Sequence, residues 1–481
     1  MNDSSPRTLV MKFGGTSVGT PDAMAQTAEI IHRQRTLTPR LVVVTSALSG
    51  VTDILLSSAI AAAEGDTTTY NQSVQTLRAR HEAIIKALIP DRARQEEVKA
   101  EITLLILDFA NLCQAISVLG EATPRALDAV ASLGERMAVR LLAAVVDSGG
   151  TPAQYLEANR LIITDDHFQS AHPDFAATQI AARASLNPIL DQGTVPIVTG
   201  FIGATSQGIT TTLGRGGSDY TAAILGAVLP ADEVWIWTDV DGVMTADPRI
   251  VPEARTIEEL TYREVSELAY AGAKVLHPKT IRPVIEAGIG LRVLNTFNPE
   301  HPGTRLVAEK ATPNGNVVKS VTAIRGLKLI TVEGRGMLGV PGVAARTFAA
   351  IASTGTSVSL ISQASSEQAI CFAVPASSAE KVIAAIENEF YREIAGKDID
   401  RVWATSEVVI VTVVGEGMRS TPGIAGKVFS ALGEKQINVI AIAQGSSEVS
   451  ISFVLKAEDI RAAVQTLHER VITQPSEGGL P

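Results

Sequence analysis

Between Thr8 and about Leu294, short apolar runs alternate with stretches whose apolar positions recur at helical spacing. TLVMKFG, RLVVVTS, TVPIVTGF and EVWIWTDV read as strands, and the segments between them read as helices. That alternation predicts an α/β domain built on an open, mostly parallel sheet flanked by helices. Thr20 followed by Pro21 supplies an N-cap and a first helical residue. Residues 70–119 keep helical spacing with few turn signals, which predicts a helical insertion without an interpretable motif.

The pattern changes from Asn295 to Ser320, where three prolines and an Asn-Gly turn replace any apolar period and mark a boundary near residue 310. Beyond it, Gly334–Glu367 realigns on Gly415–Glu448 at a constant offset of 81 without a gap, pairing Pro341 with Pro422, Phe348 with Phe429 and Gln363 with Gln444. Each copy reads strand, Gly-rich turn, helix, strand, polar turn, strand, so the C-terminal third is a duplicated α+β unit. The expected division is 1–309, 310–400 and 401–481.

Composition narrows the function class. The 481 residues are 46% apolar and 19% charged, enough to bury several cores. A net charge of -10, with both signs interspersed, leaves no basic footprint for nucleic acid or an anionic membrane. The N-terminus lacks a secretory pattern, no apolar run reaches a membrane-spanning length, and a cytoplasmic location is expected. Cys113 and Cys371 stand far apart without companion ligands, so neither a disulfide nor a structural metal is expected.

Three motifs carry candidate chemistry. Lys12 ends a strand and precedes Phe13-Gly14-Gly15-Thr16-Ser17, placing a cation beside backbone amides that glycine leaves approachable; a surface turn is the plain alternative. Gly214-Arg215-Gly216-Gly217-Ser218-Asp219 precedes a helical run, so its amides face anions at a positively polarised N-terminus. There Arg215 can grip a carboxylate and Asp219 can hold Lys12, although Ser218 and Asp219 also suit an ordinary cap. Thr238 and Asp239 lie in WTDVDGVMTADPR, after an apolar strand, where open sheets bind ligands and where plain turns are equally at home.

Taken in order, KFGGTSVG, VVVTSALSGVTD, LGERMA, TTTLGRGGSDYTA, TDVDGVMTADPR and AGAKVLHPKT resemble aspartate kinases of the amino-acid kinase superfamily, and the tail resembles paired ferredoxin-like ACT domains. The resemblance implies transfer of the γ-phosphoryl of ATP, with Mg2+, to the side chain of L-aspartate, opening lysine, threonine and methionine synthesis. Lys12 would neutralise the migrating phosphoryl beside the Gly14 and Gly15 amides, with Asp219 organising the lysine. Arg215 would hold the substrate α-carboxylate, Glu135 its ammonium, and Ser46, Thr52 and Ser218 its remaining polar atoms. Thr238 and Asp239 would contact the nucleotide, and Arg249 and Lys274 its phosphates. Met244 departs from the tyrosine common among such kinases. A carboxylate acceptor is already ionised, so catalysis reduces to alignment and charge neutralisation. The rivals are a catalytically silent amino-acid-binding regulator and an amino-acid kinase of different substrate.

Gly334-Arg335-Gly336-Met337-Leu338-Gly339 spells a dinucleotide fingerprint, but the second copy lacks the third glycine and no acidic residue follows at the required distance. These glycines are read instead as the strand-to-helix turn of each ACT unit. SQASSE and AQGSSE resemble segments of threonine-sensitive aspartate kinases, which implies threonine as effector, lysine as rival, and Gln363 and Gln444 as ligands. A homodimer or dimer of dimers through the ACT domains, and no fused homoserine dehydrogenase, are also expected.

Overall fold

The computed structural model describes residues 7–273, 276, 278–308, 317–363, 368–444 and 449–473. They form two compact units, the first made of Met1–Val243, Thr256–Tyr262 and Val275–Glu309, the second of Met244–Arg255, Arg263–Lys274 and Lys310–Pro481.

In the first unit an eight-stranded sheet runs in the order Ala153–Leu156, Val195–Thr199, Arg40–Thr45, Thr8–Phe13, Glu233–Thr238, Gly290–Asn295, Thr304–Val307, Glu259–Thr261. Every pairing is parallel except that between Gly290–Asn295 and Thr304–Val307. All six residues of Thr8–Phe13 are buried, as expected for a central strand covered on both faces. The Thr20 side chain caps the helix Pro21–Leu37, accepting from the Ala23 N–H at 3.2 Å.

The expected helical insertion is the pair Thr67–Leu88 and Arg92–Leu119. The second of these is apolar enough, by length and composition, to cross a membrane, contrary to the sequence expectation. Its Val98, Ile102, Leu105, Phe109, Cys113 and Ile116 form one buried stripe at spacings of three and four, packed into the same core as the long helix Pro124–Ser148. It is a core helix.

The second unit is a six-stranded antiparallel sheet ordered Leu360–Gln363, Ala369–Pro375, Ser320–Glu333, Arg401–Val414, Ser450–Lys456, Ala441–Ala443. The offset of 81 seen in the sequence survives in space: Phe348 meets Phe372 edge-to-face at 5.9 Å and 68°, and Phe429 meets Phe453 at 5.9 Å and 69°. The two 14-residue strands pair along their length, Ser320 opposite Val414 and Glu333 opposite Arg401.

Because each strand crosses the middle of the sheet, it serves both copies. Val402 joins the apolar core of the first copy, while Val318 and Val321 join that of the second. A cut between residues 400 and 401 therefore divides both cores.

Met244–Arg255 and Arg263–Lys274, expected within the N-terminal domain, belong to this second unit. Ala246, Ile250 and Val251 bury their side chains among Val413, Phe453 and Leu467. Glu264 and Lys319, both buried, form an ion pair at 2.6 Å, and the other Glu264 oxygen accepts from the Glu416 N–H at 2.9 Å. A buried charge pair with its remaining oxygen satisfied fixes the segment firmly.

Candidate active site

Strand order reverses around Thr8–Phe13, whose parallel neighbours Arg40–Thr45 and Glu233–Thr238 lead their following loops to opposite sides. A crevice opens at the carboxyl ends of strands where this happens. Lys12 stands there, 8% exposed, with Nζ 2.5 Å from Oδ1 of Asp219. That oxygen accepts no directed hydrogen bond among the described residues, so the pairing is electrostatic.

Asp219 sits in the first turn of the helix Gly217–Val228, where a carboxylate also suits the helix dipole. The preceding turn needs two left-handed residues, Gly214 at φ +76° and Gly216 at φ +73°. Glycine adopts that region freely, and the turn so formed carries Arg215 outward into solvent. Among the described residues Arg215 has no acidic partner, which leaves its guanidinium available.

The cleft has a volume of about 490 Å³. Lys12, Asp219, Ser218 and Arg215 line it, with Gly15 from the short helix after the first strand, Ser46 just after the second strand, and Thr52 in the first turn of the helix Val51–Ala63. Glu135 closes the floor from the helix Pro124–Ser148.

Glu135 is 3% exposed; its Oε1 accepts from the Ala47 N–H at 3.3 Å and its Oε2 has no partner among the described residues. Burial pushes its carboxyl up to about 8, against the opposing pull of the Ala47 amide and of Lys12. A buried oxygen without a donor, facing a polar cleft, suits an arriving cation.

Two turns earlier on the same helix face lies Asp128, buried and fully engaged. It accepts from the Gln169 N–H at 3.0 and 3.1 Å, the Thr212 N–H at 2.9 Å and the Thr212 hydroxyl at 2.7 Å. Burial raises its carboxyl above the ordinary range despite those donors. The carboxylate thus ties the 168–170 loop and the end of the strand Thr210–Thr212 to the helix, and Gln169 and Thr212 line the cleft.

The expected Gly14 amide is not free to meet a phosphoryl group, because it donates to the Trp237 carbonyl at 3.1 Å. A Cβ at Gly14 would make ordinary contact, 3.5 Å from the Trp237 carbonyl oxygen and 3.6 Å from Lys12 Nζ. Gly15 allows a close approach, since a Cβ would meet the Ala47 carbonyl oxygen at 2.9 Å.

Thr238 and Asp239 lie at the end of the strand beside that of Lys12, with the Thr238 hydroxyl donating to Asp239 at 3.2 Å, but they are outside the cleft lining. Arg249 belongs to the second unit and is clamped by both Asp247 oxygens, at 2.9 and 2.8 Å. Lys274 is outside the described residues.

In the second unit Gln363 is exposed and lines a separate cavity of about 320 Å³ with Pro341, Gly342 and Val343, at the start of the helix Val343–Ser353. Gln444, its counterpart, is exposed. Most of the polar segments after both glutamines, 364–367 and 445–448, are outside the described residues.

Sequence reasoning passed over Asp128, Gln169, Phe201 and Thr212, all of which line the cleft. For Asp128 a signal existed: a carboxylate seven residues before Glu135 on an otherwise apolar helix face. Phe201 adopts φ +66°, uncommon for a bulky side chain and not announced by any local motif.

Comparison with known proteins gives a consistent picture. The model of the "Amino acid kinase family" matches residues 7–295 and that of the "ACT domain" matches 330–390 and 411–471. The chain is 37% identical over 468 residues to a chloroplastic bifunctional aspartokinase/homoserine dehydrogenase 1 of Zea mays, covering 96% of this chain and 50% of that protein, so it spans about half the length of such relatives. It is 33% identical to lysine-sensitive aspartokinase 3 of Escherichia coli, covering 96% of this chain and 99% of that one. Crystal structures of E. coli aspartokinase III superpose with TM-scores of 0.80, for the R-state complex with aspartate and ADP, and 0.77, for the T-state complex with lysine and aspartate. Their identities are 31% and 32%, and each alignment covers 96% of this chain and 99% of the crystallised one.

Proposed function

This chain belongs to the aspartokinase family, an amino acid kinase fold followed by ACT domains, and from that premise we propose that it phosphorylates the side-chain carboxylate of L-aspartate with ATP, at the head of lysine, threonine and methionine synthesis. The observation that carries the reading is one cleft holding the Lys12–Asp219 pair, an exposed guanidinium at Arg215 and a buried, half-satisfied carboxyl at Glu135.

Those three groups match three parts of the reaction. Arg215 takes the α-carboxylate in a bidentate grip and Glu135 takes the ammonium, which together favour an α-amino acid over a nucleotide acceptor. Lys12 stabilises the phosphoryl charge while a substrate carboxylate oxygen forms a bond to the γ-phosphorus. The bond to the bridging oxygen breaks, ADP leaves with that electron pair, and an acyl phosphate remains. Ser46, Thr52 and Ser218 supply neutral contacts, and Thr238 and Asp239 face the nucleotide.

Mg2+ fits as a companion of the nucleotide phosphates, where it supplies further charge neutralisation. Among the described cleft residues Asp128 is engaged by Gln169 and Thr212 and Asp219 Oδ1 by Lys12, so Mg2+ would be held chiefly by the nucleotide phosphates.

The ACT unit senses an amino acid in the cavity lined by Gln363, and threonine is the effector we propose on the likeness of SQASSE and AQGSSE to threonine-sensitive forms. Lysine is the second reading, favoured by the lysine-sensitive E. coli relative and its lysine complex. Effector binding shifts a population between two arrangements. The chain supplies continuity for this, because Met244–Arg255, a few residues after Asp239, is built into the core of the second unit. Association through the edge strands is supported by Ile361 and Ile442, equivalent by the 81-residue offset and 51% and 48% exposed.

Hydroxamate trapping of the acyl phosphate tests the activity, with aspartate and glutamate compared as acceptors. Turnover with aspartate and inhibition by threonine or lysine support the reading; an intact, folded chain inert toward aspartate and ATP refutes it.

A further inference from the structure

The loop from Asp165 to His172 brings three metal-ligating groups together on the surface of the first unit, away from the groups assigned to phosphoryl transfer. Oδ2 of Asp165 faces Nδ1 of His172 at 3.1 Å and Nδ1 of His167 at 3.2 Å, and all three ligand atoms lie within 4.8 Å of one another. We propose that Asp165, His167 and His172 form a binding site for a borderline transition-metal dication, zinc foremost, which fastens the loop forming one wall of the substrate cleft.

The geometry suits that ion. A tetrahedral zinc with bonds of about 2.0–2.1 Å to nitrogen and oxygen places neighbouring ligands about 3.3 Å apart. The two oxygen-to-nitrogen separations are close to such an edge, and a metal there draws the two Nδ1 atoms, within 4.8 Å of each other, together while each Nδ1 proton passes to Nε2 or to water. Two imidazoles and one carboxylate favour zinc, nickel or copper over magnesium, which prefers oxygen ligands and keeps its water.

The carboxylate is already oriented for the task. Oδ1 of Asp165 accepts the backbone N–H groups of His167 and His172, at 3.2 and 2.9 Å, which turns Oδ2 toward both rings. Such hydrogen bonds to the non-ligating oxygen fix a metal carboxylate in place. The imidazole side chains are 73% and 66% exposed, leaving a coordination position open to water.

The loop is closed at its base by the Asp165 N–H donating to the His172 carbonyl at 3.0 Å and by the Thr164–Pro173 bridge. Its tip is Gln169, whose N–H is held by Asp128 and which lines the cleft. A metal at the base therefore restrains the tip, linking availability of the ion to the order of the substrate wall.

The test uses the full chain, freed of metal by a chelator, without nucleotide and with Mg2+ in excess. Titration with zinc, followed calorimetrically, is expected to show about one site per chain, with cobalt at the same site giving a visible band. His167→Ala, His172→Ala and Asp165→Asn should each weaken binding about tenfold or more, the exposed histidines leaving the melting profile unchanged. Zinc should slow amide hydrogen exchange across residues 165–172 in the unaltered chain and not in the His167→Ala/His172→Ala variant. Zinc uptake that survives the double substitution, no uptake by the unaltered chain, or exchange at Gln169 that ignores zinc would each overturn the proposal.

Discussion

The ammonium of Lys12 and the carboxylate of Asp219 stand 2.5 Å apart, joining the end of the central strand to the first turn of the helix Gly217–Val228. Both side chains are mostly hidden, 11% and 16% exposed, so neither charge is fully hydrated. An anion entering the cleft meets a cation already oriented, and the reorganisation cost of transfer is correspondingly small.

Replacing Lys12 by methionine keeps the stem and removes the charge. Turnover should fall about 10³-fold or more, as expected for loss of the main charge-neutralising group. The same change strands Asp219 and should cost roughly 2–3 kcal/mol of stability, discounted from a fully buried pair for partial exposure. Adding Asp219→Asn should recover most of that stability and none of the turnover. Urea denaturation and the hydroxamate assay separate the two effects; recovery of activity in the double variant contradicts the assignment.

Glu135 predicts a pH dependence with a definite sign. Folding raises its carboxyl from 4.5 to about 8, so between those values the folded chain holds a proton that the unfolded chain has released. This group's contribution to stability therefore falls as pH rises from about 4.5 to about 8 and is level outside that window. Substrate ammonium needs the ionised form, so KM for aspartate should fall as pH climbs toward 8. Glu135→Gln should raise KM about 100-fold, remove that group's stability slope, and leave the unliganded chain more stable at pH 8. Thermal melts at several pH values, with and without aspartate, check both halves.

Asp128 gives a prediction that binding chemistry alone does not. Asp128→Ala leaves the Gln169 amide, the Thr212 amide and the Thr212 hydroxyl without their acceptor, at a cost of about 2–4 kcal/mol. Asp128→Asn keeps an acceptor oxygen and should cost less. Because the 168–170 loop then loosens, KM for aspartate should rise more than kcat falls, and Asp128→Asn should restore part of it. Equal losses in both constants would mark a direct catalytic role instead.

How much of this was legible follows from the range of the interactions. Lys12, Arg215 and Asp219 were readable because each sits in a local motif whose backbone demands, such as the two left-handed glycines at 214 and 216, leave a sequence signature. The 81-residue repeat was readable because duplication copies side chains, down to the Phe348–Phe372 and Phe429–Phe453 ring pairs. Three features were not. The Gly14 amide is claimed by Trp237, a residue more than two hundred positions away. Ala246 and Ile250 look like loop residues until the core they enter is assembled. The two long central strands serve both copies, and no local pattern announces which core takes a given valine.

Gln363 should carry effector binding more than Gln444, because it lines a cavity of about 320 Å³ together with the start of the helix Val343–Ser353. Gln363→Ala should raise the half-inhibitory concentration of threonine about tenfold and leave uninhibited turnover intact. Gln444→Ala should shift it less. Inhibition curves for threonine and lysine on both variants distinguish the effectors, and parallel shifts in the two variants would contradict the ranking.

The glycines that imitate a dinucleotide fingerprint have a steric role instead, and the repeat supplies a matched pair for testing it. Gly336 and Gly417 differ by the offset of 81, as do their neighbours Asp398 and Val317, each in the segment leading into the other copy's long strand. A Cβ at Gly336 would lie 2.5 Å from the Asp398 Cα, whereas one at Gly417 would lie 3.2 Å from the Val317 Cα. Backbone cannot swing aside as a side chain can, so Gly336→Ala forces the Asp398 segment outward and also strains the bond from the Gly336 N–H to the Asp398 carbonyl, now 3.0 Å. It should cost about 2 kcal/mol or more, and Gly417→Ala, which asks its neighbour for only a few tenths of an ångström, less than about 1 kcal/mol. A nucleotide site would rank the two glycines by cofactor affinity; crowding ranks them by stability, with hydrogen exchange rising first around residues 334–337 and 398–402. Equal destabilisation by the two substitutions would remove the steric explanation.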